Sequence, residues 1–105
     1  MRGKDATIEA FVARLNLPAR GWLAVDHWEA DRCAIGISSR ELPRRLVYVS
    51  TFGKRNGVFD CECESPASDS DELYRVAGTG TDLGLEELLD VMVRHLAGEP
   101  PQSGA

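Results

Sequence analysis

Two strand-like runs joined by Asn-Gly constrain this chain more than any other stretch of it. Leu46-Val47-Tyr48-Val49-Ser50-Thr51-Phe52 carries no charge and is rich in β-branched and aromatic residues, as a central strand covered on both faces requires. Gly53-Lys54-Arg55-Asn56-Gly57 follows, and its Asn-Gly pair is the strongest short-range hairpin signal. Beyond it Phe59, Cys61 and Cys63 alternate with Asp60, Glu62 and Glu64. A pleated strand then places three apolar side chains on one face and three carboxylates on the other.

Helical periodicity appears at both ends. Ile8, Phe11, Val12 and Leu15 recur at i, i+3, i+4 and i+7 behind a capping Asp5, which predicts a first helix. Pro18 disfavours helical angles in the residue before it, so this helix is expected to end near Asn16, ahead of a turn at 19–21. Leu85, Leu88, Leu89, Met92, Val93 and Leu96 share the spacing of a second amphipathic helix. Asp82 or Gly84 is placed to cap it, Glu86 and Glu87 complement the positive end of its dipole, and Gly98 supplies the stop.

Between the helices, Trp22 to Trp28 alternates weakly as a strand, and Cys33, Ile35 and Ile37 fall opposite Ala34, Gly36 and Ser38 as a half-buried strand. The polar run from Ser65 to Asp71 predicts a loop, and Leu73 to Ala77 a last strand. Gly78-Thr79-Gly80-Thr81 resembles a phosphate cradle, but it lacks the lysine of a P-loop and the third glycine of a dinucleotide fingerprint. It is expected to form a tight strand-to-helix turn. No repeat or linker interrupts the pattern. The predicted architecture is α+β: an N-terminal helix, an antiparallel β-meander of four to five strands and a C-terminal helix, with both helices on one face of the sheet. Residues 1–98 form this single domain, and 99–105 have too little to bury and are expected to be a disordered C-terminal tail.

The net charge of −5 opposes phosphate backbones, so nucleic acid is a disfavoured partner and a basic protein a favoured one. The charge is uneven. Residues 40–55 hold Arg40, Arg44, Arg45, Lys54 and Arg55 against Glu41, whereas 60–72 hold Asp60, Glu62, Glu64, Asp69, Asp71 and Glu72 with no base. The longest apolar runs are far shorter than the roughly 20 residues that span a bilayer, and the N-terminus carries no signal-peptide pattern. Three cysteines, an odd number without an export signal, read as reduced thiols in a cytoplasmic protein.

Cys33, Cys61 and Cys63, with either His27 or His95, offer the donor types of a zinc site or a reactive thiol. Paired zinc ligands usually come from tight knuckles, however, and a Cys-x-Cys on a strand normally packs into a core. Asp26 and His27 point to opposite faces of a strand, which is poor geometry for a base and its orienter. His95, in the last turns of the second helix, needs no role beyond its interaction with the helix dipole. The acidic set matches no EF-hand spacing.

Trp28-Glu29, Ile35-Gly36-Ile37, Pro43, the strand Leu46 to Ser50, Gly78-x-Gly80 and Leu85-Glu86-Glu87-Leu88-Leu89 occur in an order that resembles the small immunity proteins encoded beside bacterial polymorphic toxins. The similarity spans about residues 22–97. It implies a non-enzymatic protein that binds and neutralises a cognate toxin without a cofactor, and it transfers no catalytic residue.

Residues and resemblance together predict an acidic protein-binding module, a monomer or weak homodimer. Its docking surface consists of Asp60, Glu62, Glu64, Asp69, Asp71 and Glu72, with Trp22 or Trp28 as the aromatic anchor. Two alternatives remain open. One is a small metal- or thiol-dependent enzyme built on His27, Cys33, Cys61 and Cys63, and the other is a homo-oligomeric regulatory subunit.

Overall fold

The computed structural model describes residues 4–25, 32–66 and 74–98. Its elements are α1 (Ala6–Leu15), α2 (Leu17–Arg20), β1 (Trp22–Val25), β2 (Ala34–Ser39), β3 (Leu46–Ser50), β4 (Phe59–Pro66), β5 (Tyr74–Leu83) and α3 (Leu85–Leu96). The strands form one antiparallel sheet in the order β1-β2-β3-β4-β5. The expected α+β class, a meander between two terminal helices, is the fold observed. The expected tail at 99–105 and the stretches 26–31 and 67–73 lie outside the described residues.

Asp5 caps α1 as its sequence position predicts, with Oδ1 accepting from the Thr7 N–H at 2.9 Å. That bond is the main reason the Asp5 carboxyl sits below its ordinary pKa. The helix ends at Asn16, whose φ of +51° is left-handed. Leu17–Arg20 then forms a further helical turn where only a turn at 19–21 was expected. A proline in the first turn costs no intrahelical hydrogen bond.

Register builds the core. Ile35 and Ile37 oppose Val49 and Val47, which oppose Cys61 and Cys63, which oppose Gly80 and Gly78. These residues share one face of the sheet. One buried cluster joins the aliphatic and cysteine side chains of that face to Ile8, Phe11 and Leu15 of α1 and to Leu88, Met92 and Leu96 of α3. Phe11 and Phe59 pack with ring centroids 5.0 Å apart.

Four local expectations are corrected. The strand buried along its whole length is β2, not β3. On the second face of the sheet Ser38 lies between Leu23 and Leu46, and Gly36 between Val25 and Tyr48, so short side chains are sheltered by longer neighbours. Tyr48 and Ser50 of β3 are only half-buried. Strand β3 also stops at Ser50, leaving Phe52 77% exposed in the turn.

Strand β5 runs through Gly78-Thr79-Gly80-Thr81, where a turn was expected. Gly80 is needed because a Cβ there would lie 3.1 Å from Cys61 Sγ and 2.6 Å from Leu83 Cδ1. Leu83 to Gly80 spans three steps where Phe59 to Cys61 spans two, so β5 bulges, and a second bulge falls between the partners of Cys63 and Glu64. In α3 the cap is Gly84, whose N–H donates to Glu87 Oε1 at 3.2 Å, and Val93 of the predicted apolar stripe is 48% exposed.

Candidate functional site

Because Cys61 and Cys63 face the core, alternation along β4 turns Asp60, Glu62 and Glu64 to the second face, as the sequence predicts. That face is wet only in part. At β2 it is buried, whereas at β4 and β5 Glu62, Thr79 and Val76 are exposed. The accessible acidic surface is therefore the β4–β5 half of the sheet, while at the opposite edge Leu23 of β1 is also exposed.

The three carboxylates differ in what surrounds them. Asp60 lies at the end of the row and is already engaged: its Oδ1 accepts from the Asp82 N–H at 3.1 Å and from Lys54 Nζ at 3.0 Å. The backbone donor and then the Lys54 ammonium hold its carboxyl below the ordinary range. Lys54 also reaches Asp82 Oδ1 at 2.6 Å, and its pKa is raised by the two carboxylates, Asp82 before Asp60. The backbone of Asp82 is left-handed at φ +55°, which aims its N–H at Asp60. The basic turn and the start of the acidic strand thus neutralise one another.

Glu62 and Glu64 have no such cation. Among the described residues neither side chain takes part in an ion pair. Partial burial, with the Glu62 charge adding, pushes the Glu64 carboxyl above its ordinary pKa. Among the described residues, these two neighbouring like charges on one strand face stand uncompensated.

The other expected site residues are dispersed. Trp22 is 7% exposed and belongs to the core cluster, with the Arg20 guanidinium 5.2 Å from its ring centroid, so this ring packs inward instead of anchoring a partner. Trp28, Asp69, Asp71, Glu72 and His27 lie outside the described residues. Phe52, expected at the end of a strand, is instead exposed in the turn, next to Gly53 at φ +70°.

Cys61 and Cys63 are buried on the same face of β4, and the neighbouring Cys63 thiol, with burial added, pushes the Cys61 thiol up. The Cys61 thiol beside it, together with the Arg45 charge, lowers Cys63. Cys33 stands apart at the start of β2, its Sγ 3.9 Å from Asp5 Oδ2. Among the described residues no three His, Cys, Asp or Glu side chains converge as a metal site needs.

His95 is buried and held on both ring nitrogens. Nε2–H donates to the Glu64 carbonyl at 2.8 Å, and Nδ1 faces Arg45 Nη2 at 3.2 Å. A carbonyl accepts only, so Nε2 carries the proton and Nδ1 accepts from the guanidinium. Burial holds the imidazole pKa below its ordinary value. The favourable charge–dipole role expected for His95 is therefore replaced by that of a neutral bridge between α3 and β4.

No family model, curated protein or solved structure matches this chain. No helix of the described residues is long and apolar enough to cross a membrane.

Proposed function

We propose that this chain is a non-enzymatic binding module whose β4–β5 face docks a basic protein, in the manner of an immunity protein neutralising a toxin domain in the cytoplasm. The observation that carries this is the uncompensated pair Glu62 and Glu64 on the wet half of the sheet, with Glu64 raised by burial and by its neighbour. A Lys or Arg side chain brought against the pair offsets their mutual repulsion and forms a charge-assisted hydrogen bond. Net charge −5 adds long-range attraction and speeds the encounter. Asp60 contributes less than its position in the row implies, because Lys54 already occupies it.

The experiment is native mass spectrometry of tagged protein recovered from its own host, comparing wild type with the double variant Glu62→Lys, Glu64→Lys. Retention of a basic polypeptide by wild type and its loss in the variant, with thermal midpoints alike, supports the proposal. A partner held equally by both, or held without any dependence on salt, overturns it.

A further inference from the structure

At the end of the molecule that carries the β3–β4 turn, α1 and residues 56–59 enclose a surface hollow of about 370 Å³. Its apolar lining comes from Ala6, Ala10, Phe11, Phe59 and Leu85. The two alanines are exposed and one helical turn apart, so α1 presents bare backbone where longer side chains would fill the space. Below them lie the tilted rings of Phe11 and Phe59. Polar side chains are few among the lining residues: Thr7, Asn56 and Arg14. Arg14 follows Ala10 by one turn of the same helix, and among the described residues no carboxylate pairs with it. Of the two acids at this end of the chain, Asp5 is occupied in capping α1 and Glu9 is not among the residues that line the hollow.

We propose that this hollow is a binding site for a small amphiphilic carboxylate, an aryl or branched aliphatic body seated on the apolar floor with its carboxylate on Arg14. A mainly apolar concavity with a few converging polar groups is the general form of a small-molecule site, and its volume admits one ring with a short chain. A planar carboxylate matches the guanidinium fork in two parallel hydrogen bonds, while Thr7 and Asn56 add neutral partners. A multiply charged phosphate is opposed by the net charge of the chain, and an apolar body without an anionic head leaves Arg14 unused. The site is independent of the carboxylate pair on β4, so either proposal stands if the other fails.

The test is titration of the ¹⁵N-labelled protein with 4-phenylbutanoate, with 4-phenylbutan-1-ol and 4-phenylbutylamine as controls of the same body. The expected result is saturable shifts confined to the amides of Ala6, Thr7, Ala10, Arg14 and Gly57, with Kd on the order of 1 mM for the carboxylate. The alcohol binds about tenfold more weakly and the amine more weakly still. Arg14→Gln reduces carboxylate affinity about tenfold and leaves the alcohol unchanged. Ala10→Trp, at an exposed helix position, fills the hollow and abolishes both while the spectrum stays that of a folded protein. Equal binding of carboxylate and amine, shifts scattered away from α1, or full binding by a folded Ala10→Trp variant overturns the proposal. So does the absence of saturable shifts up to about 10 mM.

Discussion

Arg45 grips His95 at two points, its Nε donating to the His95 carbonyl at 2.8 Å while Nη2 donates to Nδ1 at 3.2 Å. The guanidinium thereby closes the C-terminal end of α3 onto the strand that begins at Leu46, and it compels the ring to be neutral. A positively charged imidazole would have no lone pair for Arg45 and would place two cations in contact.

The first prediction concerns pH. The folded pKa of His95 lies below its unfolded value of about 6.5, so the unfolded chain takes up this proton first as pH falls. The contribution is complete above that unfolded value and is lost progressively as pH drops toward the folded one. Glu64 acts oppositely: its folded pKa is raised, so its contribution is present at low pH and lost as pH rises through the folded pKa. Urea unfolding of wild type between pH 7.5 and 5.5, roughly the range over which a histidine titrates, should show stability falling with pH. His95→Gln should flatten that slope while lowering stability by about 1–3 kcal/mol through the broken bonds. An unchanged slope refutes the neutral bridge.

Gly80 and Gly78 look equivalent in sequence but differ in space. A Cβ at Gly80 meets Leu83 and Cys61, whereas one at Gly78 meets nothing within 4 Å. Gly80→Ala should cost about 1 kcal/mol, part of the clash being absorbed by rotation of Leu83, and Gly78→Ala should be neutral or stabilising by a few tenths. Thermal denaturation of the two variants decides; equal midpoints contradict the packing described.

Leu88 and Met92 are fully buried on α3 against the sheet. Leu88→Ala should destabilise by about 2–5 kcal/mol, whereas Phe52→Ser, at a residue 77% exposed, should change stability by less than about 0.5 kcal/mol. Chemical denaturation measures both.

Glu62 raises the Glu64 pKa through space, although burial contributes more. In Glu62→Gln the Glu64 carboxyl should therefore titrate lower than in wild type while staying above the ordinary value, as followed by side-chain ¹³C shifts. Lys54→Met should raise the Asp60 pKa, since it removes a cation but leaves the larger effect of the Asp82 N–H. If neither carboxylate moves, the charge relationships along β4 are wrong.

Periodicity carried most of the fold. The i, i+3, i+4, i+7 stripe from Ile8 and the alternation from Phe59 to Glu64 each report a local geometry that a short window of residues imposes, and both appear as expected. Gly78 to Thr81 was misread because glycine marks a turn when it supplies left-handed backbone and a strand when it supplies space. Which of these applies depends on Cys61 and Leu83, which are distant or unseen as packing partners in a linear reading.

The sequence by itself determined the two longer helices, the meander and the face on which each β4 side chain stands, because these follow from backbone periods and turn chemistry over a few residues. Only the tertiary structure decided that Trp22 packs into the core, that Lys54 occupies Asp60 and that, among the described residues, Glu62 and Glu64 join no ion pair. It also decided that Arg14 borders an apolar hollow. Burial and charge pairing depend on what approaches from elsewhere in the chain, and a residue's neighbours in sequence hold no record of its neighbours in space.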